Sequence, residues 1–159
     1  MEIVYTERFE SPIGQIVVSA SEAGIQAVSF ATNSILDPKP SALTSIAIRQ
    51  LENYFTGNLQ EFKLPLSPEG TVFDRFVWDE LQKIPYGSTT SYAAVASAMS
   101  HSKAVRAVGR ANGANPIAIV IPCHRVIGAD GSLTGYAGEL WRKRWLLDHE
   151  ARVNGTILL

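Results

Sequence analysis

The sequence predicts an α+β chain of two lobes: a small antiparallel sheet with a helix over residues 1–70, and a mainly helical lobe over residues 71–159. Three observations predict it. Short β-branched segments bounded by turn residues fall within the first 31 positions. Apolar residues after that recur at helical spacing. Between the two regimes lies Leu64-Pro65-Leu66-Ser67-Pro68-Glu69-Gly70, whose two prolines and glycine break regular structure.

Residues 2–31 read as three antiparallel strands. Gln15-Ile16-Val17-Val18-Ser19-Ala20 is β-branched and roughly alternating, and Ser11-Pro12-Ile13-Gly14 ahead of it is turn chemistry. Ala23-Gly24 separates it from Ile25-Gln26-Ala27-Val28-Ser29-Phe30. Residues 33–40 read as a loop. Leu43, Ile46, Ala47, Leu51, Tyr54 and Phe55 then repeat at helical spacing, with Gly57 as the stop. In the second lobe Thr71 is the expected helix cap, with Asp74 three residues on. Phe73, Phe76, Val77, Leu81 and Ile84 are expected to line one face, and Pro85-Tyr86-Gly87 ends the helix. A short helix is expected from about Ser91 and a second from about Lys103 to Asn112, parted by Ser100-His101-Ser102. That pattern fits a helix-turn-helix, which also serves as a packing unit with no DNA contact. The second helix is rich in small residues (Ala104, Ala107, Gly109, Ala111, Gly113), with Arg106 and Arg110 spaced to share one face. Such a face suits close approach to a nucleic-acid groove or to another helix. Residues 128–132 read as a turn. Residues 133–138 read as a glycine-rich loop too irregular for a phosphate cradle. The last helix spans about residues 140–150. Its Glu150 falls near the apolar side with Leu146 and Leu147, and a carboxylate there needs a partner.

With 159 residues, 46% of them apolar, the chain can bury a core and is not a disordered segment. A single cysteine excludes an intramolecular disulfide, and the cysteine and histidines do not cluster as a zinc site would require. No metal or cofactor is therefore expected. The start has no basic stretch followed by an apolar one, and no apolar run approaches a membrane span, so a cytoplasmic protein is expected. The net charge of −1 hides a split. Residues 1–84 carry six Lys/Arg against eleven Asp/Glu, a net −5, whereas residues 85–145 carry seven against two, a net +5. A basic lobe suits a polyanionic partner, or is simply a solvated surface.

The only cysteine lies in Ile121-Pro122-Cys123-His124-Arg125-Val126-Ile127, at the end of the apolar run Ile117-Ala118-Ile119-Val120-Ile121. This suggests a thiol at the mouth of a packed core with an imidazole beside it to hold it as the reactive thiolate. By that dipeptide alone an inert buried thiol is the favoured reading.

The wider pattern is more specific. Ser91-Tyr92, Arg106-Ala107-Val108-Gly109, Asn115-Pro116, Pro122-Cys123-His124-Arg125-Val126, Gly135-Tyr136 and Glu150 together resemble the O6-alkylguanine-DNA alkyltransferases, over roughly residues 71–156. The resemblance implies a ribonuclease-H-like first lobe and direct-reversal DNA repair, with alkyl transfer from O6-alkylguanine, and from O4-alkylthymine, to Cys123. It implies that the protein acts once, as a monomer, on double-stranded DNA. His124 would be the base, working through a bridging water, and Glu150 its orienting carboxylate. Tyr92 would donate to the base ring of the leaving guanine. The carbonyls of Cys123 and Val126 would accept from the guanine amine, and the N–H near Ala137 would donate toward O6. Tyr136 would form part of the alkyl pocket wall. Asn115 would brace the turn beneath the site, and with Arg125 it is grouped among the DNA- and base-binding residues. Arg106 would fill the stack left by the flipped base, and Arg110 would contact phosphate. Two other readings stay open on the residues themselves: a lesion-binding protein without catalysis, and a Cys-His-Glu hydrolase.

Overall fold

The computed structural model describes residues 4–31 and 37–155. The chain divides into two compact units, Met1–Glu69 and Gly70–Leu159.

In the first unit, β1 (Tyr5–Ser11), β2 (Gly14–Ala20) and β3 (Ile25–Phe30) form an antiparallel sheet in the order β1-β2-β3. Ser11 pairs with Gly14 to close the first hairpin, where the Ser11 hydroxyl donates to Gly14 O at 2.6 Å. Alternation along β2 sends Ile16, Val18 and Ala20 inward, all with no exposed surface. Helix α1 (Ala42–Phe55) covers that face with Ala47, Ile48, Leu51 and Tyr54. Its start is fixed by a capping box in which Ser41 and Thr44 exchange side chain-to-backbone bonds. The Thr44 hydroxyl also donates to Glu7 of β1 at 2.9 Å. The proline-rich segment is more ordered than its composition suggests. Ile25 N donates to Pro65 O and Ser67 N to Ile25 O, so Leu66 bridges the edge of β3 in parallel. Gly24 permits this, because a Cβ there would lie 2.7 Å from Pro65 O. Half of the segment expected as a loop, residues 33–36, lies outside the described residues; Lys39 bridges Thr6.

The second unit begins with α2 (Val72–Leu81), capped by the Thr71 hydroxyl on Asp74 N. Its buried face differs from the expected one. Val77, Trp78 and Leu81 are buried, whereas Phe76 is 44% exposed. The two overlapping apolar faces are distinguished by a partner: Trp78 Nε1 donates to Ala111 O at 2.8 Å. That carbonyl belongs to α4 (Val105–Gly113), which packs on α2 and on α3 (Tyr92–Ala98). The turn between α3 and α4 is closed by Ala104 N donating to His101 O, so α4 starts two residues later than its pattern suggests.

Two very short strands organise the rest. β4 (Thr90–Ser91) pairs in parallel with β5 (Val126–Ile127), an element no periodicity could show. Ser91 is the last residue of β4 and also the N-cap of α3, its side chain accepting from Ala94 N. A 3-10 turn at Cys123–Arg125 leads straight into β5. The pairing therefore holds the chain at Tyr92 beside the chain that follows Cys123. Helix α5 (Leu140–Val153) then packs against the 3-10 turn. Among the described residues no helix is long and apolar enough to cross a membrane.

Candidate active site

Cys123 is presented by two very tight turns. Val120 N donates to Ala118 O at 2.8 Å around Ile119, whose φ is +72°. A left-handed β-branched residue at the centre of a two-residue hydrogen bond is strained, at a cost of about 1–3 kcal/mol. Cys123 N then donates to Ile121 O around Pro122, with φ −81° and ψ 61°, the favourable hand of the same turn. Asn115 braces the run at both ends: its Nδ2 donates to Ile121 O at 2.8 Å and its Oδ1 accepts from Ile117 N at 2.9 Å. The apolar run is thus a buried coil, not a strand. It delivers a free thiol that is 5% exposed.

His124, Arg125 and Glu150 form a buried hub. His124 Nε2 lies 2.6 Å from Glu150 Oε2, and Arg125 Nε and Nη2 donate to Oε1 and Oε2 at 2.8 and 3.0 Å. Gly87 N adds a fourth donor to Oε1 at 3.1 Å. Gly87 has φ +79°, and a Cβ there would strike Asn154 at 2.6 Å, so this approach requires glycine. Burial alone would raise the Glu150 carboxyl. The His124 and Arg125 contacts outweigh it and hold the group far below the usual carboxylate range. Burial pushes the His124 imidazole down from its ordinary 6.5, against the pull of Glu150. The pair at neutral pH is accordingly an ionised Glu150, balanced by Arg125, facing a neutral His124. A carboxylate only accepts, so Nε2 carries the imidazole proton and Nδ1 keeps its lone pair. Nδ1 has no hydrogen-bond partner among the described residues.

Cys123 departs from the expectation of a ready thiolate. Burial raises its pKa, opposed by a hydrogen bond from Asn115 and by the charge of Lys143. The resting group is a thiol, so it needs a base at the moment of reaction.

Lys143 is the residue that local sequence reasoning missed. It sits in the basic run Arg142-Lys143-Arg144 but has no exposed surface. Its Nζ donates to Val126 O at 2.6 Å and to Thr134 O at 2.8 Å. Burial lowers its pKa, and the nearby Cys123 opposes that shift. The only sequence signal was its place on α5, one turn before Leu146 and Leu147 and two turns before Glu150 on the same face. Asn112 was missed too: buried on α4, it donates from Nδ2 to Cys123 O at 3.4 Å.

The remaining expected residues fall into two groups. Tyr92, Arg106 and Arg110 line one open groove of about 610 Å³, with Val105, Gly109, Thr134 and Gly135. The Tyr92 hydroxyl is already engaged, donating to Thr134 O at 3.1 Å. Tyr136 is buried, Val126 is buried, and Ala137 is exposed. Burial and the nearby Cys123 raise the Tyr136 phenol well above its ordinary value.

Two of the expected residues are engaged inside the protein. Arg125 is 6% exposed, and its guanidinium donates to Glu150 and, at 2.8 Å, to Ile84 O, an internal counter-ion. Asn115 uses both ends of its amide inside the turn, the bracing place expected of it. No group of three or more metal-ligating side chains occurs among the described residues.

A buried thiol, a neutral imidazole with its proton on the far nitrogen and an arginine-lined groove lie in one unit, the set of groups that a DNA-binding protein with a cysteine nucleophile needs. Comparison with known sequences makes this specific. Residues 72–152 match the profile described as 6-O-methylguanine DNA methyltransferase, DNA binding domain, and residues 4–68 match its ribonuclease-like domain. A methylated-DNA–protein-cysteine methyltransferase of Methanosarcina acetivorans is 46% identical over 153 residues, spanning 92% of this chain and 98% of the relative. The crystal structure of Mycobacterium tuberculosis O6-methylguanine methyltransferase is 42% identical with a TM-score of 0.86, over 94% of both chains. Mycobacterium tuberculosis OGT in complex with DNA matches with a TM-score of 0.84 at 42% identity, over 92% of both chains. The chain belongs to the 6-O-methylguanine DNA methyltransferase family.

Proposed function

We propose that this protein repairs alkylated DNA by direct reversal, moving the alkyl group of O6-alkylguanine, and that of O4-alkylthymine, onto Sγ of Cys123, once per chain. It is thus a methylated-DNA–protein-cysteine S-methyltransferase. The observation that carries this reading is the hub: a neutral His124 whose bare Nδ1 follows from the Nε2 bond to Glu150, next in sequence to a buried protonated thiol. The Cys123 proton passes through a water to His124 Nδ1 as sulfur attacks the alkyl carbon. The carbon–O6 bond breaks, a thioether forms, and the leaving guanine carries away the electron pair. Tyr92 releases Thr134 O and donates to the base ring, limiting that developing charge. Glu150 stabilises the imidazolium that results, and Arg125 keeps Glu150 ionised.

A base paired in a duplex hides its O6 substituent, so the lesion is flipped at a cost of about a few kcal/mol. Arg106 takes its place in the stack, and Arg110 contacts phosphate. α3 and α4 act as the helix-turn-helix. A thioether, unlike a thioester, is not hydrolysed by a water that an imidazole activates, which supports a stoichiometric reaction. The test is to incubate the protein with a duplex carrying one O6-methylguanine and weigh the intact chain. A gain of one CH2 in the wild type, absent in Cys123→Ser, is expected. Repeated turnover would instead favour a hydrolase, and tight lesion binding with no mass change a non-catalytic lesion binder.

A further inference from the structure

The N-terminal end of α5 breaks a local rule. A helix start favours acids, and beyond the N-cap Glu139 the first turn of α5 has none; Arg142, Lys143 and Arg144 instead run in a row from its first turn into its second. Lys143 is accounted for by its two carbonyl acceptors, and Arg144 is solvated, with its side chain 61% exposed. Arg142 is different. Its side chain is 17% exposed, its Nη1 donates to Gly138 O at 3.1 Å, and its guanidinium carbon lies 4.7 Å from the Trp141 ring centroid. Trp141 Nε1 in turn donates to Glu139 Oε2 at 2.8 Å.

The segment these residues grip is under tension. Glu139 has φ +77°, a conformation that costs a non-glycine residue about 1–3 kcal/mol and persists only where its surroundings impose it. The grip therefore falls on the chain directly after Tyr136, and Glu139 N closes that loop on Tyr136 O at 3.1 Å. Tyr136 is buried and within electrostatic reach of both Cys123 and Arg142.

We propose that Arg142, seated between the Trp141 ring and the Gly138 carbonyl, is a positioning residue that fixes the loop carrying Tyr136 and so sets how large an alkyl group the site accepts. This rests on the alkyl-transfer reading above. A wall held in a strained conformation does not yield to a larger group; released, it relaxes away from the sulfur.

The experiment measures single-turnover rate constants on duplexes carrying O6-methylguanine and O6-benzylguanine. Arg142→Ala is expected to raise the benzyl-to-methyl ratio about tenfold, the scale on which pocket fit discriminates substrates. Trp141→Phe, which keeps a ring under Arg142 but loses the Glu139 bond, moves the ratio the same way by less. Arg144→Ala, a charge loss on the same turn, leaves the ratio unchanged. An unmoved ratio in both Arg142→Ala and Trp141→Phe overturns the proposal, as does an equal rise in Arg144→Ala. A wild type that takes no methyl from DNA would instead overturn the transfer reading itself.

Discussion

Glu150→Gln separates the catalytic from the structural work of the buried hub. Each carboxylate oxygen accepts one bond from Arg125 and one from another donor: Gly87 N on Oε1, His124 Nε2 on Oε2. A glutamine must place its NH2 at one of these positions. At the first it meets Arg125 Nε and Gly87 N, donor against donor. At the second it meets Arg125 Nη2 and His124 Nε2, and the imidazole must surrender its Nε2 proton and protonate Nδ1, losing its base. Both choices leave Arg125 buried without its counter-charge. Breaking a buried pair in this way costs about 3–5 kcal/mol. Arg125 keeps Ile84 O and the glutamine carbonyl, so about 3 kcal/mol is the better figure, or a fall in Tm of roughly 6–12 °C for a chain of this size. The loss of general-base catalysis is worth about 10²–10⁴ in rate. The assay is single-turnover methyl transfer well below both melting temperatures, with a melting curve and a duplex affinity for each variant. Affinity should hold, since no described atom of the hub lies in the arginine groove. A folded Glu150→Gln protein that transfers at the wild-type rate would refute the base assignment, whatever its Tm.

The other expectations concern charge. His124 has a folded pKa below its ordinary 6.5, so the unfolded chain binds the proton first, and stability falls as pH drops below 6.5. The acid limb of the transfer rate should likewise lie below 6.5; a limb centred above it would show an imidazole stabilised in its charged form. Lys143→Met removes the cation that lowers the Cys123 pKa, so the pH profile of Cys123 alkylation by iodoacetamide should move to higher pH, and Lys143→Arg should restore part of the shift. An unmoved profile would reduce Lys143 to a packing role. Arg106→Ala should slow repair in duplex DNA far more than reaction with free O6-benzylguanine, which needs no flipping. Arg110→Ala should weaken duplex binding generally and lower its salt slope by about one. Equal slowing of Arg106→Ala on both substrates would remove the finger role.

Local pattern alone determined a good deal of this protein. Alternation set β2, Thr71 set the start of α2, and the adjacency of Cys123 and His124 needed no fold to be seen. That Glu150 required a partner also followed from one helix turn, because a carboxylate near an apolar face cannot stand alone. What the partner was did not follow. Arg125 looked like a DNA ligand and is an internal counter-ion, and Lys143 looked like one surface charge in a basic run and is fully buried. Phe76 and Trp78 fitted the α2 period equally, and only an α4 carbonyl chose between them. The two-residue pair β4–β5 was too short to leave any period. In each case the deciding group lies far along the chain: Val126 for Lys143, Glu150 for Arg125, Ala111 for Trp78. Periodicity and capping are set by neighbours within a turn or two, so the sequence states them. Whether a charge faces water or the interior depends on a distant acceptor that can repay its desolvation, and only the assembled fold brings that acceptor within reach.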